Sequence, residues 1–135
     1  MDNLTPEHRS WLMRRVRSKN TTPELLVRRI AHSMGLRFRL HRRDLPGTPD
    51  LVFPAYNRVV FVHGCFWHRH RGCRFTTTPK TRVKYWKEKF QKNMQRDLRN
   101  ARKLRRSGWR ILVIWQCQTR DVKTIESKLR KFFDE

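Results

Sequence analysis

Hydrophobic positions along this chain recur first with a helical period, then alternate as in strands, and return to a helical period near the C-terminus. A short helix is predicted within residues 1–20, where a few apolar residues lie at roughly helical spacing. A second helix is predicted from the Thr-Thr-Pro-Glu capping sequence at residues 21–24 to Gly35, with apolar residues every three or four positions between them. The chain therefore opens with two helices.

Strand patterns follow. Residues 36–41 alternate apolar and polar, as in a half-buried strand. Residues 50–53 and 58–62 are short apolar runs joined by a tight turn, so they should pair as a hairpin. Because Asp50 opens the first run and His63 follows the second, the hairpin should bring an acid and an imidazole to the same end of the sheet.

The C-terminal half contains the clearest amphipathic helix, between residues 83 and 104. Trp109–Trp115 is a nearly continuous apolar run, typical of a strand covered on both faces. A final helix should begin at the Asp121 cap. The predicted order is ααβββαβα, an α/β single domain with a central mixed sheet flanked by helices. The apolar face of the long helix consists of Val83, Trp86, Phe90, Met94, Leu98, Ala101 and Leu104.

The charge of the chain predicts a polyanionic partner. Its 135 residues include 33 Lys and Arg against 11 Asp and Glu, a net charge of +22, and we interpret this excess as binding to nucleic acid rather than as a merely basic surface. Residues 1–20 are expected to form a basic arm or short helix that contacts DNA, followed by one domain over residues 21–135. The alternative for the arm is a solvated basic helix. The candidate phosphate contacts in the arm are Arg14, Arg15, Arg17 and Lys19.

The sequence lacks an apolar run of the roughly 18 residues that span a membrane, and its N-terminus lacks the apolar segment of a signal peptide. We therefore expect an intracellular, cytoplasmic protein.

Cysteine and histidine spacing predicts a metal site. Cys65, His70 and Cys73 form a C-x4-H-x2-C set, and Cys117 follows a predicted strand. Three cysteines cannot all pair with one another, and a Cys3His set would hold Zn²⁺ with no open position, so this site would be structural. Two alternatives stay open at this stage: His68 as the ligand in place of His70, or three free buried cysteines.

Two further histidines and an acid favour a phosphodiester-cleaving site. Asp50 is a candidate ligand for Mg²⁺, and His63 or His68 is a candidate to help water attack. Asp97 is a possible imidazole partner by residue type. The competing interpretations are that Asp50 neutralises nearby cations and that Glu24 is only a capping-box residue.

Adjacent aromatic residues add a third feature. Phe66 and Trp67 follow Cys65 in a basic loop, where at least one of the two should be difficult to bury. Apolar rings can wedge between base pairs, so these residues are candidates for insertion into DNA, and Trp86 could join them. For Trp86, burial in the core is an equally good explanation.

Several segments together resemble the very-short-patch repair (Vsr) DNA mismatch endonucleases, a family in the PD-(D/E)xK nuclease superfamily. The element that spans His63 to His68, HGCFWH, is highly specific, and the similarity covers nearly the whole chain. The matching segments are residues 22–26 (TPELL), 45–53 (LPGTPDLVF), 60–68 (VFVHGCFWH), 79–82 (PKTR) and 108–115 (GWRILVIW), with Asn93 and Arg96-Asp97.

The resemblance implies a restriction-endonuclease-like fold and a Mg²⁺-dependent nickase that cuts 5′ to the thymine of a G·T mismatch in double-stranded DNA. Asp50 and the Val62 main-chain carbonyl would bind Mg²⁺, and Glu24 would act through metal-bound water. His68 would be the general base, assisted by His63 and Asp97. The remaining implied sites are Cys65, His70, Cys73 and Cys117 for Zn²⁺, and Phe66, Trp67 and Trp86 for intercalation.

The resemblance also implies that residues 21–135 are the Vsr-like endonuclease domain of a monomer that works beside other mismatch-repair proteins on the bacterial nucleoid. Two other classes stay open. One is a nuclease of the same fold that cuts another lesion or a specific unmodified sequence. The other is a non-catalytic DNA-binding module stabilised by zinc, in which Asp50 and the histidines are scaffolding.

Overall fold

The computed structural model describes residues 20–134. The first predicted helix and the cations Arg14, Arg15, Arg17 and Lys19 lie outside this range. The described helices and strands are α1 (Thr22–Ser33), β1 (Arg39–Leu40), β2 (Leu51–Phe53), β3 (Arg58–His63), α2 (Val83–Arg106), β4 (Arg110–Trp115) and α3 (Val122–Asp134).

The four strands form one mixed sheet in the order β1-β2-β3-β4. Strands β1, β2 and β3 are antiparallel neighbours, and β4 runs parallel to β3 after the α2 crossover. The predicted hairpin of β2 and β3 is present and turns at Asn57, which adopts the left-handed conformation with φ 51°. The predicted mixed α/β architecture is therefore confirmed for the described residues.

Apolar clusters cover the two faces of the sheet. On one face, α1 and α3 pack against β2, β3 and β4 through buried residues such as Ile30, Phe53 and Leu129. On the other face, Leu104 near the end of α2 packs against Val52 and Val59. Burial of each large side chain contributes about 1.5–3 kcal/mol, so these clusters hold the three layers together.

Two strand predictions need correction. The strand expected over residues 36–41 is only two residues long, because residues 36–38 do not pair and His41, with φ 46°, adopts the left-handed conformation that ends the strand; Leu40 is 41% exposed. Strand β4 contacts both clusters, through Ile111 on one face and Ile114 on the other. It is nevertheless the outermost strand, and only Ile114 among its residues is fully buried.

The apolar face predicted for the long helix is also only partly buried. Trp86, Phe90 and Leu104 are buried, but Met94 and Leu98 in the middle of α2 are 41% and 59% exposed. At 24 residues the helix is about 36 Å long, so it extends beyond the sheet that it crosses. Its middle turns therefore face a groove instead of the core. Val83, at its start, is exposed as well.

None of the helices described in residues 20–134 combines the length and the apolar character needed to cross a membrane.

Candidate active site

Asp50 lies at the mouth of the hairpin, as the strand pattern predicts. It directly precedes β2, and its Oδ2 accepts a 2.7 Å hydrogen bond from the backbone N–H of Val62 in β3. Burial is the main cause that raises the pKa of Asp50 to about 8; the Val62 hydrogen bond opposes this shift, and the nearby Glu24 carboxylate contributes to it. The charged form of Asp50 is therefore poorly stabilised by its protein surroundings, and a bound cation would stabilise it.

Glu24 has a dual position. Its backbone N–H donates to Thr21 Oγ1 at 3.3 Å, so Thr21 caps helix α1 as predicted. The capping box is incomplete, however, because the Glu24 carboxylate accepts from the Asn20 N–H at 3.2 Å and also pairs with Arg28 and with His41, whose Nε2 lies 2.9 Å away. The Glu24 side chain is 2% exposed. Glu24 therefore takes part in the N-terminal cap through its backbone and supplies a carboxylate beside Asp50 through its side chain.

His41 completes this cluster. Its Nε2 is 2.9 Å from Glu24 Oε2 and 4.0 Å from Asp50 Oδ1. The three side chains bring one ligand atom each within 4.8 Å of one another. Neither Arg28 nor His41 was singled out from the sequence. The available signal was a histidine at the end of a strand pattern that leads into the connection before Asp50.

His63 and His68 meet at the end of β3. Their rings stack with centroids 3.8 Å apart and an interplanar angle of 6°. Burial, followed by the neighbouring His68, lowers the pKa of His63 to about 3, so His63 is neutral at physiological pH. His63 is therefore the uncharged ring of this stacked pair.

Asp97 reaches this pair from helix α2. Its Oδ2 lies 2.7 Å from His68 Nδ1. Burial acts to raise the pKa of Asp97, but the hydrogen bond and charge of His68 outweigh it, and the pKa is lowered below its usual value. Such a carboxylate fixes the ring orientation and stabilises the imidazolium form, which is the environment of a general base.

Most of these side chains line one groove with a volume of about 900 Å³, and the buried Glu24 lies behind its lining. Asp50, His41 and the His63–His68 pair lie along the sheet end, and Asp97 faces them from α2. Met94 and Leu98 form an apolar wall on the same helix. A single linear phosphodiester segment placed in this groove would therefore meet the acid cluster and the imidazole pair together.

The three cysteines cluster with His70 and not with His68. His70 Nδ1 lies 3.7 Å from Cys65 Sγ and 3.4 Å from Cys117 Sγ, and Cys73 belongs to the same group. Two donors on a tetrahedral zinc with Zn–S of 2.3 Å and Zn–N of 2.0–2.1 Å are about 3.5 Å apart. The donor set and its spacing therefore fit a tetrahedral ion.

The surroundings of this cluster also fit a metal site. Burial, partly offset by the Cys117 N–H, raises the pKa of the Cys65 thiol to about 12, so an ion is needed to hold it as a thiolate. Trp115 stacks on the His70 ring with centroids 4.2 Å apart, which fixes the plane of the ring.

The loop held by this cluster carries the aromatic residues. Phe66 packs edge-on against Trp67, Trp86 and Phe90 with ring centroids 5.1–5.7 Å apart. Phe66 and Trp67 are half-buried, and Trp86 is 8% exposed. Arg69 braces the loop, because its guanidinium lies 3.9 Å from the Phe90 ring centroid and donates to the carbonyl of Thr77.

Comparison with known proteins identifies the family of this chain. The family model for DNA mismatch endonuclease Vsr matches residues 1–74. Type II nicking enzyme V.XorIIP of Xanthomonas oryzae pv. oryzae is 54% identical over 133 residues, covering 98% of this chain and 97% of the relative. DNA mismatch endonuclease Vsr of Escherichia coli is 41% identical over 112 residues, covering 83% and 71%.

A third relative, type II nicking enzyme V.NmeAIP of Neisseria meningitidis, is 36% identical over 134 residues, covering 99% of this chain and 95% of its own length. The chain belongs to the DNA mismatch endonuclease Vsr family, as its sequence motifs predict. It is therefore a Vsr-like DNA endonuclease.

Proposed function

We propose that this protein is a strand-specific nickase that hydrolyses the phosphodiester 5′ to the thymine of a G·T mismatch, with Mg²⁺ bound at Asp50. The observation that carries the proposal is the convergence of Asp50, His63, His68 and Asp97 on one groove. A DNA-binding module would have no use for a carboxylate whose pKa is raised to about 8 beside a stacked imidazole pair. The mixed sheet, with Pro49-Asp50 at the start of β2, supports a restriction-endonuclease-like fold.

The Mg²⁺ site would consist of Asp50 and the Val62 main-chain carbonyl. The N–H and C=O groups of one strand residue leave on the same side of the strand, so the Val62 carbonyl lies on the side of its N–H, which donates to Asp50. Mg²⁺ prefers oxygen ligands of this kind. Glu24, already held by Arg28 and His41, would act on the site indirectly. When bound, Mg²⁺ supplies charge stabilisation at the cleaved phosphate.

The imidazole pair would activate water. His68 bonds to Asp97 through Nδ1, which leaves Nε2 to accept a proton from the attacking water. His63 stays neutral and stacks on His68, so it can face the attacked phosphate without competing for the proton. Asp97 stabilises the imidazolium that forms on His68. The three residues therefore act in the same proton-transfer step.

The remaining predicted groups would hold and read the DNA. The Cys65–His70–Cys73–Cys117 cluster would bind structural Zn²⁺ and fix the loop. Phe66, Trp67 and Trp86 would open the duplex beside the mismatch, and the excess of basic residues would bind phosphates. The N-terminal cations at positions 14, 15, 17 and 19 stay a prediction for the same role.

A second candidate function follows from the relatives. Several of them are named type II nicking enzymes, which favours nicking at a particular sequence. The two functions overlap if the enzyme recognises a G·T mismatch only within one sequence context.

The test uses end-labelled duplexes that differ only in one base pair, G·T against G·C, in a panel of flanking sequences. We expect a Mg²⁺-dependent nick in the thymine strand of the G·T duplexes only, and no nick with Asp50→Asn although that variant still binds. Equal nicking of matched duplexes at one sequence would replace the proposal with the second function. Tight binding without any nick would reject both functions and favour the binding module.

A further inference from the structure

We propose that His41 is a nitrogen ligand of the catalytic divalent ion, so that an imidazole joins Asp50 in binding the ion and the site accepts Mn²⁺ more tightly than an all-oxygen site does. This inference rests on the proposed function, since it assumes that the ion binds at Asp50. It adds a residue to which the motifs of the sequence assigned no role.

The position of the imidazole supports the proposal. His41 lies at the end of β1, where its left-handed backbone, with φ 46°, ends the strand, and its ring lines the groove that contains Asp50. The same ring nitrogen, Nε2, faces both acids, at 2.9 Å from Glu24 Oε2 and 4.0 Å from Asp50 Oδ1. The same nitrogen is therefore close to both carboxylates, and the three ligand atoms lie within 4.8 Å of one another.

These two separations match the donor spacing around one six-coordinate ion. For bonds of 2.0–2.1 Å, adjacent octahedral donors are about 2.9 Å apart and opposite donors about 4.1 Å apart. Nε2 and the Glu24 oxygen have the first spacing, and Nε2 and the Asp50 oxygen have nearly the second. His41 Nε2 and Asp50 Oδ1 thus already have the spacing of two donors to one ion, and the Glu24 oxygen lies at hydrogen-bond distance from Nε2.

The neighbouring charges indicate which donors contact the ion directly. Glu24 is engaged by Arg28 and by the Asn20 N–H, and Arg28 Nη2 lies 3.4 Å from His41 Nε2. The Arg28 guanidinium therefore compensates mainly Glu24. Asp50 and His41 are left as the direct protein side-chain ligands, with Glu24 at the edge of the site.

An imidazole ligand changes the preference of the site among metal ions. Oxygen donors suit Mg²⁺, whereas a nitrogen donor strengthens binding of first-row transition ions relative to Mg²⁺. His41→Gln is informative because it replaces a ring nitrogen with an amide that offers an oxygen to the ion. The variant should keep much of the Mg²⁺ affinity and lose Mn²⁺ affinity.

The experiment uses the full-length protein with its thiol cluster loaded with one equivalent of Zn²⁺. Mn²⁺ is the probe because it is paramagnetic and avoids thiolate sites. Titration followed by EPR gives the Mn²⁺ affinity, and competition gives the Mg²⁺ affinity. Echo-envelope modulation of the bound Mn²⁺ detects a directly bonded ¹⁴N. The matched control is His32→Gln, the same change at an exposed histidine of α1.

We expect a ¹⁴N signal in the wild type that changes to a ¹⁵N pattern after labelling with ¹⁵N-histidine. In His41→Gln the signal should disappear and Mn²⁺ binding weaken about tenfold or more, with a smaller loss for Mg²⁺. His32→Gln should match the wild type. The labelled wild type tests the proposal even if His41→Gln does not fold.

Absence of a nitrogen signal in the wild type would overturn the inference, as would a signal that survives in His41→Gln. Equal weakening of Mn²⁺ and Mg²⁺ in that variant would reduce His41 to a residue that positions Glu24. If instead the proposed ion site at Asp50 is wrong, the Mn²⁺ affinity of Asp50→Asn should equal that of the wild type. That result is distinguishable from a failure of the His41 inference alone.

Discussion

His68 and Asp97 are 29 positions apart in the sequence, yet His68 Nδ1 and Asp97 Oδ2 lie 2.7 Å apart. Helix α2 makes this contact as it crosses from the cysteine-containing loop to strand β4. The pair links the segment that follows β3 to the longest helix of the molecule. Catalysis should therefore depend on the placement of α2 as well as on the hairpin that holds Asp50.

Asp97→Asn should slow nicking by about 10–100-fold with little change in DNA affinity. Asparagine keeps the size of the side chain but cannot stabilise a positive charge on His68 during proton transfer. The measurement is single-turnover nicking of a G·T duplex at saturating enzyme. The control is Glu88→Gln, which removes an exposed carboxylate from the same helix. A nicking rate in Asp97→Asn equal to that of the control would contradict the role given to the pair.

Asp50→Asn should make the protein more stable at pH 8 in the absence of divalent ions at the carboxylate site. The folded-state pKa of Asp50 is about 8 and its usual value is 3.8, so between these values the folded state binds more protons than the unfolded state. Stability therefore falls as pH rises through this window. Removing the ionisable group should restore about 1–2 kcal/mol at pH 8, or roughly 3–8 °C in Tm.

At pH 5 the wild type and Asp50→Asn should differ less in Tm than at pH 8, because the cost of keeping Asp50 protonated in the folded protein grows as the pH rises above 3.8. The matched control is Asp44→Asn, in the same connection. Asp44 is exposed and its pKa is lowered by its hydrogen bond with Arg42, so its removal should not raise Tm at either pH. If Asp50→Asn is less stable than the wild type at pH 8, the ionised Asp50 carboxylate does not destabilise the folded protein, and the prediction is wrong.

His70→Gln should lose bound zinc, whereas His68→Gln should keep one zinc per chain. The reason is that His70, and not His68, lies with Cys65, Cys73 and Cys117. Zinc content is measured by a chromogenic chelator after unfolding. His70→Gln should also melt at a lower temperature, since the free energy of metal binding contributes to folding. Equal zinc content in the two variants would show that the cluster does not depend on His70.

Trp67→Ala should reduce the preference for mismatched over matched duplex more than it reduces the affinity for matched duplex. Trp67 is half-buried in the aromatic cluster of the loop, and base–aromatic stacking contributes about 1–3 kcal/mol per base. Competition binding with G·T and G·C duplexes measures the ratio. Tyr85→Ala is a suitable control, because Tyr85 is an exposed aromatic residue beside Trp86. An equal loss for both duplexes would assign Trp67 to general DNA binding.

Local patterns in the sequence were sufficient for much of this protein. The hairpin that places Asp50 beside β3 follows from two apolar runs and a tight turn, because both strands and their connection lie within a few residues of one another. The cap at Thr21 and the end of α2 are also local, as they depend on hydrogen bonds between neighbouring residues. Membership of the Vsr family likewise followed from short motifs such as HGCFWH.

Only the tertiary structure decided which of these residues meet. The choice of His70 over His68 for the cysteine cluster depends on the path of the loop, and the pairing of His68 with Asp97 depends on where α2 crosses. Glu24 joins the site because α1 packs with its N-terminus beside Asp50, and the same contact brings His41 close to both acids. The exposure of Met94 and Leu98 has the same origin, since an apolar helical face is identical in sequence whether it covers a core or lines a groove. Periodicity specifies the direction of a side chain relative to its own element, and the packing of distant elements determines what that side chain contacts.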